Sequence, residues 1–197
     1  METDSYVSDM QATLPSMNEL ESAEATLGVL QTVLQTITDD DLSRQTPCRE
    51  FDVAALTDHL LNSITMIGGA AGADIPERDP DAPVRDQVLA AARPAVAAWQ
   101  QRGLDGTVPF GQGEVPAAMM ARILSLEFLV HAWDYARAVG QSVEVPDARS
   151  EPVLQWAKGI ITPDGRVRAG FDDPVEVPDD ASGLDRLLAF TGRRPTA

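Results

Sequence analysis

The stretch from Ala117 to Val139 constrains this chain more than any other. Pro116 stands where a helix can begin and Gly140 where one must stop. At about 100° per residue, Met120, Leu124, Glu127, His131, Asp134 and Ala138 fall on one stripe of that helix. The remaining surface is also mostly apolar, so the helix is expected to be central and covered on all sides. A carboxylate and an imidazole four residues apart then project from consecutive turns of a buried face. A lone buried carboxylate is costly unless something pairs with it.

Helical patterns also dominate elsewhere. Leu20, Leu27, Leu30, Val33, Leu34 and Ile37 recur at helical spacing, with Ser16 and Glu19 at capping-box spacing, which predicts a first helix over 18–37. Asp52 is a good N-cap for a second helix running to Ile67 before Gly68-Gly69. A third starts at Pro83 and stops at Gly103, with Pro94 expected to kink or divide it. Residues 104–113 read as an irregular or hairpin-like crossover. A fifth helix spans 148–161, Phe171 and Pro174 to Pro178 are extended, and Ser182 to Phe190 is a short closing helix. Residues 1–15 are polar and aperiodic and are expected to be a flexible leader, leaving 16–197 as a single domain. Alternating strand–helix units are missing, so the expected class is all-α, a four-helix bundle with extra short C-terminal helices and an extended tail.

Composition narrows the function classes. Fifteen Lys plus Arg against thirty-one Asp plus Glu give a net charge of −16. That balance argues against nucleic acid and against anionic lipid, both of which need a basic footprint. No apolar run approaches the roughly 20 residues of a membrane span, and the start METDSYVSDM has no apolar signal-peptide core. One cysteine, Cys48, rules out an internal disulfide and a Cys-rich zinc site. The expected setting is the cytoplasm.

The chain has two histidines, His59 and His131. His59 falls mid-way along the second helix, on a face shared with Ala55, Leu56, Ser63 and Met66, which is expected to point inward. One His from one helix and Glu-x-x-x-His from a facing helix would give three N/O ligands with a position left open, the donor set of a catalytic zinc site. The residues alone leave two readings open: that metal site, or Glu127 and His131 as a hydrogen-bonded pair with His59 merely packed.

Three stretches together resemble one family: Thr46 to Leu60 (TPCREFDVAALTDHL), Glu127 to Ala138 (EFLVHAWDYARA) and Val175 to Arg193 (VEVPDDASGLDRLLAFTGR). They are similar to the DinB-like metal-binding four-helix bundles, nearest to the branch of mycothiol-dependent maleylpyruvate isomerase. The resemblance implies a DinB-like bundle in which His59, Glu127 and His131 bind a divalent metal, usually zinc, with nickel and iron also suited to such ligands. The family often has Gly-Trp where this chain has Glu50-Phe51. The isomerase also has a separate C-terminal domain for substrate contacts that this chain has no room for, so fold and metal site carry over and the isomerase activity does not.

Two function classes follow from the resemblance. One is an enzyme of the mycothiol-dependent transferase or isomerase type, holding a small thiol, mycothiol as the resemblance implies, as a metal-stabilised thiolate that attacks an electrophilic substrate. The other is a metal-binding or stress-response bundle without turnover. Either is compatible with a monomer or a homodimer. Asp134, one turn beyond His131, is a candidate to orient an imidazole, or else a solvated carboxylate. Cys48 is either a packed thiol or one activated by the helix terminus. Asp39 to Asp41 is expected to be a solvated helix end, Trp133 and Trp156 packing residues, and Arg193-Arg194 a frayed end or a contact for a substrate carboxylate. The site mouth is expected between the loop before the second helix, the segment after the third and the tail, at the end carrying Gly68, Gly69, Gly72, Gly111 and Gly113. The tail is either a lid over it or a cover for the outer wall.

Overall fold

The computed structural model describes residues 17–167 and 170–195. The expected leader, residues 1–15, and the capping role of Ser16 lie outside these. Helix α1 is Glu19–Leu34, capped by Asn18, whose Oδ1 accepts from the Glu21 amide at 2.9 Å while the Glu21 carboxylate accepts from the Asn18 amide at 3.0 Å. The pair Asn18/Glu21 has the same spacing as Ser16/Glu19 and forms a capping box. Glu19 is drawn off to Arg122, at 2.8 Å. After α1, Asp39–Asp41 form a 3-10 turn. Asp41 is buried there and accepts from the Thr38 amide and hydroxyl, so it is a capping group and not a solvated one.

Helix α2 is Val53–Ala70, with Asp52 accepting from the Ala55 amide at 2.8 Å as expected. Helix α3 is Val84–Arg102 and stays one helix through Pro94, since Ala91, Ala92, Ala95 and Val96 on either side are all buried in the core. The crossover is a hairpin, β1 (Thr107–Phe110) with β2 (Gly113–Pro116), in antiparallel register with Val108 opposite Val115. Then come α4 (Ala117–Ala138), α5 (Asp147–Ile160), the single turn α6 (Pro163–Arg166) and α7 (Gly183–Phe190).

Helices α1, α4, α2 and α3 pack as a closed ring in that order. Their shared core includes Leu30, Leu60, Ile64, Trp99 and Phe128. Two of its buried polar groups are paired across helices: Trp99 Nε1 donates to the Ile67 carbonyl at 3.1 Å, and Thr57 meets the Tyr135 hydroxyl at 2.9 Å. The opposite face of α4, with Leu126, Leu129, Val130 and Trp133, packs on Val153, Leu154, Leu187 and Leu188 of α5 and α7. Helix α4 is therefore covered on two sides, as its all-round apolar sequence requires. Among the described residues no helix is long and apolar enough to cross a membrane.

Helices α2 and α3 approach closely at Gly68. A Cβ there would lie 2.7 Å from Ala95 Cβ and 3.1 Å from Ala95 Cα. Gly68→Ala is therefore expected to destabilise the fold by about 1–2 kcal/mol, overpacking outweighing the helix-propensity gain of the alanine. Urea unfolding reads this out; a stabilised variant would mean that the two helices can part without cost.

Candidate metal centre

Helix α4 supplies Glu127 and His131 one turn apart, and the neighbouring α2 supplies His59. The three side chains meet: their ligand-type atoms all lie within 4.8 Å of one another. Glu127 Oε2 stands 3.5 Å from His59 Nε2 and 3.6 Å from His131 Nε2. These separations are too long for hydrogen bonds, and Oε2 is buried without a hydrogen-bond partner. Two N/O ligands about 2.1 Å from a tetrahedral ion stand roughly 3.4 Å apart. The two oxygen–nitrogen separations match that ligand spacing, and the chemistry of the three donors fits a divalent cation of the zinc class.

The three are not equally buried. The His131 side chain is 7% exposed and Glu127 13%, but His59 is 36% exposed. His59 does not point fully inward, because the buried stripe of α2 runs through Val53, Leu56, Leu60, Ile64 and Ile67, and residue 59 lies on its margin. Met66, expected on the same inner face, is exposed. His59 is held instead by Phe51, stacked on its ring at 5.1 Å, and by the edge of the His131 ring at 5.2 Å.

Asp134, fully buried, places Oδ2 3.0 Å from His131 Nδ1. An ionised carboxylate can only accept, so Nδ1 carries a proton and Nε2 faces Glu127. Burial disfavours charge on His131, yet its bonds to Asp134 and the nearby Glu127 outweigh that and push its pKa up to about 9. Burial likewise opposes ionisation of Glu127, but the two imidazoles hold its carboxyl well below the usual range. For Asp134 the burial penalty is overcome by the Arg193 guanidinium and the His131 bond, which keep its carboxyl low.

Arg193 was not legible as part of this network. It is buried and donates to Asp134, so it is neither a frayed end nor a free contact for substrate. The signal that could have found it is Gly192, a helix-stop glycine directly before it.

A cavity of about 230 Å³ opens onto the three residues, walled by Cys48, Glu50 and Phe51 from the loop before α2 and by Gly170, Phe171 and Arg193 from the tail. The segment after α3 does not line it. His59 sits in the second turn of α2, so the mouth lies at that helix's start, away from Gly68, Gly69 and Gly72 at its far end. The tail contributes Phe171 to the wall, while Val175 bonds back to the Ala189 carbonyl of α7. Cys48 is half-buried, and burial pushes its thiol pKa up, the opposite of activation. A larger cavity of about 680 Å³, between α2 and residues 75–91, is lined by no imidazole or thiol.

The family model for the mycothiol maleylpyruvate isomerase N-terminal domain matches residues 24–136, an interval that holds His59, Glu127, His131 and Asp134 and ends before the tail. Two uncharacterised proteins of Mycobacterium tuberculosis, from strains CDC 1551 / Oshkosh and ATCC 25618 / H37Rv, are each 29% identical over 168 residues, covering 82% of this chain and 90% of theirs. No solved structure gives a significant match.

Proposed function

The chain belongs to the mycothiol maleylpyruvate isomerase N-terminal domain family, part of the DinB-like bundles, and from that premise we propose that it binds one divalent metal ion, zinc by preference, through His59, Glu127 and His131 and uses it to activate a small thiol. The observation that carries this reading is Glu127 Oε2, a buried carboxylate oxygen with no hydrogen-bond partner, facing two imidazole nitrogens at 3.5 and 3.6 Å. A divalent ion bound there would supply Lewis acidity, lowering the pKa of a thiol that enters the cavity.

The chain's own residues prepare the place. Glu127 brings one negative charge to the ion and acts as ligand, leaving no carboxylate in the triad to serve as a general base. His131 is oriented through Nδ1 by Asp134, and His59 is oriented by stacking on Phe51. Phe51 and Phe171 give the cavity apolar walls beside an incoming sulfur. Cys48 has a raised pKa and does not compete as the nucleophile, so the reactive sulfur comes from the small molecule, mycothiol being the candidate that the family suggests. An electrophilic carbon compound would be the second reactant.

Protein purified without a histidine tag is expected to hold one divalent ion per chain. Reloaded with cobalt(II) as a spectroscopic stand-in, it is expected to develop a sulfur-to-metal charge-transfer band when a small thiol is added. An unchanged spectrum would overturn the thiol reading and leave the metal reading; no metal uptake would overturn both.

A further inference from the structure

We propose that Arg193 is a positioning residue of the metal centre: from the C-terminal segment it pins the Asp134 carboxylate, and through it the His131 ring, so that the ligand set carried by α2 and α4 is fully oriented only when the tail folds back onto the bundle. The inference rests on the metal reading above and extends it to a segment beyond the family-matched interval.

Arg193 and Asp134 are buried together, at 7% and 0% exposure. Arg193 Nη2 donates to Asp134 Oδ2 at 2.8 Å and Nε approaches Oδ1 at 3.3 Å, a two-pronged contact that fixes the plane of the carboxylate. Asp134 Oδ2 is also the atom that accepts from His131 Nδ1. One oxygen is therefore shared between the arginine and the imidazole, and turning the carboxylate away from Arg193 turns it away from His131.

The chain is built to deliver this arginine. After α7 the Arg193 amide bonds to the Leu188 carbonyl and the Gly192 amide to the Ala189 carbonyl, the Schellman pattern of helix termination. Gly192 sits at φ +86°, and a Cβ there would lie 2.6 Å from Asp172 Cβ and 2.9 Å from the Asp172 carbonyl oxygen. A residue with a side chain at 192 meets both backbone strain and a steric clash. Asp172 is itself held, by Arg49 at 2.6 Å and by Arg166, which donates to the Asp172 and Phe190 carbonyls. A tail needing only to cover apolar surface would do so with an apolar residue and avoid desolvating a guanidinium. The buried charge is explained by what it touches.

The test uses the full chain with Arg193→Met, Arg193→Lys, Asp134→Asn and the Asp134→Asn/Arg193→Met double variant. Zinc affinity is read by chelator competition, and the His131 Hδ1 resonance by NMR in metal-free protein. Arg193→Met is expected to weaken zinc binding about 10- to 100-fold, with Arg193→Lys between it and the parent. On the Asp134→Asn background the same change is expected to add little, because the two residues act through one route. The His131 Hδ1 signal, held from exchange by Asp134, is expected to be lost in Arg193→Met and retained in Arg193→Lys. Parental affinity and an intact Hδ1 signal in Arg193→Met overturn the proposal, as does full additivity with Asp134→Asn. If Arg193→Met does not fold, the double variant, which leaves no unpaired buried charge, is compared with Asp134→Asn alone, and a large further loss of zinc affinity overturns the proposal. If the parent chain takes up no metal, the metal reading fails while the Hδ1 signal still decides whether Arg193 positions His131.

Discussion

His131→Ala and Glu127→Ala proteins are expected to lose stoichiometric divalent-metal binding, with affinity falling by more than the roughly 100-fold that loss of an orienting neighbour can cost. Both residues are largely buried, and both point a ligand-type atom at the same small volume. His59→Ala is expected to do the same by removing the third donor, although its place at the margin lets water substitute more readily. Helical content should change little in each case, because the core of α4 rests on Leu124, Phe128, Leu129 and Ala132 rather than on the triad. Elemental analysis and far-ultraviolet circular dichroism on the three proteins make the check. A variant that keeps one metal per chain takes its residue out of the ligand set.

Metal affinity and metal-free stability are expected to run in opposite directions with pH. In the metal-free chain the His131 pKa lies at about 9, against an ordinary 6.5. A raised histidine contributes stability that is complete below about pH 6.5 and lost as pH climbs through about 9. A shift of that size corresponds to roughly 3 kcal/mol. The lowered Glu127 carboxyl works on the acid side, its contribution present above about pH 4.5 and lost as pH falls. From these two groups, the metal-free protein should be most resistant to urea between about pH 5 and 6.5 and weaken towards pH 9. A divalent ion must displace the His131 proton, so its affinity should rise about tenfold per pH unit over the same alkaline range. Flat urea midpoints between pH 6.5 and 9 would show that His131 is not held as a cation. A pH-independent metal affinity would remove it as a ligand.

Much of the fold was written locally. The helix stops at Gly103 and Gly140, the cap at Asp52 and the all-round apolar pattern of α4 each follow from side chains within a turn of one another, and the structure has α2, α3, α4 and α7 close to the expected bounds. Local rules were ambiguous where two residues met the same spacing, as with Asn18/Glu21 against Ser16/Glu19. They left open whether Pro94 would kink or divide its helix, and burial on both sides of the proline keeps it undivided.

The site divides along the same line. By itself the sequence determined that Glu127, His131 and Asp134 share a face of a buried helix, because a helical period fixes directions within one element. Whether His59 faces them, how exposed it is and where the mouth opens depend on the rotation of α2 about its own axis, which is set by how Leu56, Leu60 and Ile64 pack against the neighbouring helices. The position of Arg193 was decided only by the tertiary structure. Fifty-nine residues separate it from Asp134, and the contact exists because α7 packs on α5, α5 on α4, and a glycine turn sends the chain back to the bundle. No spacing rule reaches across such a distance; a buried arginine finds its carboxylate only after the packing has brought the two together.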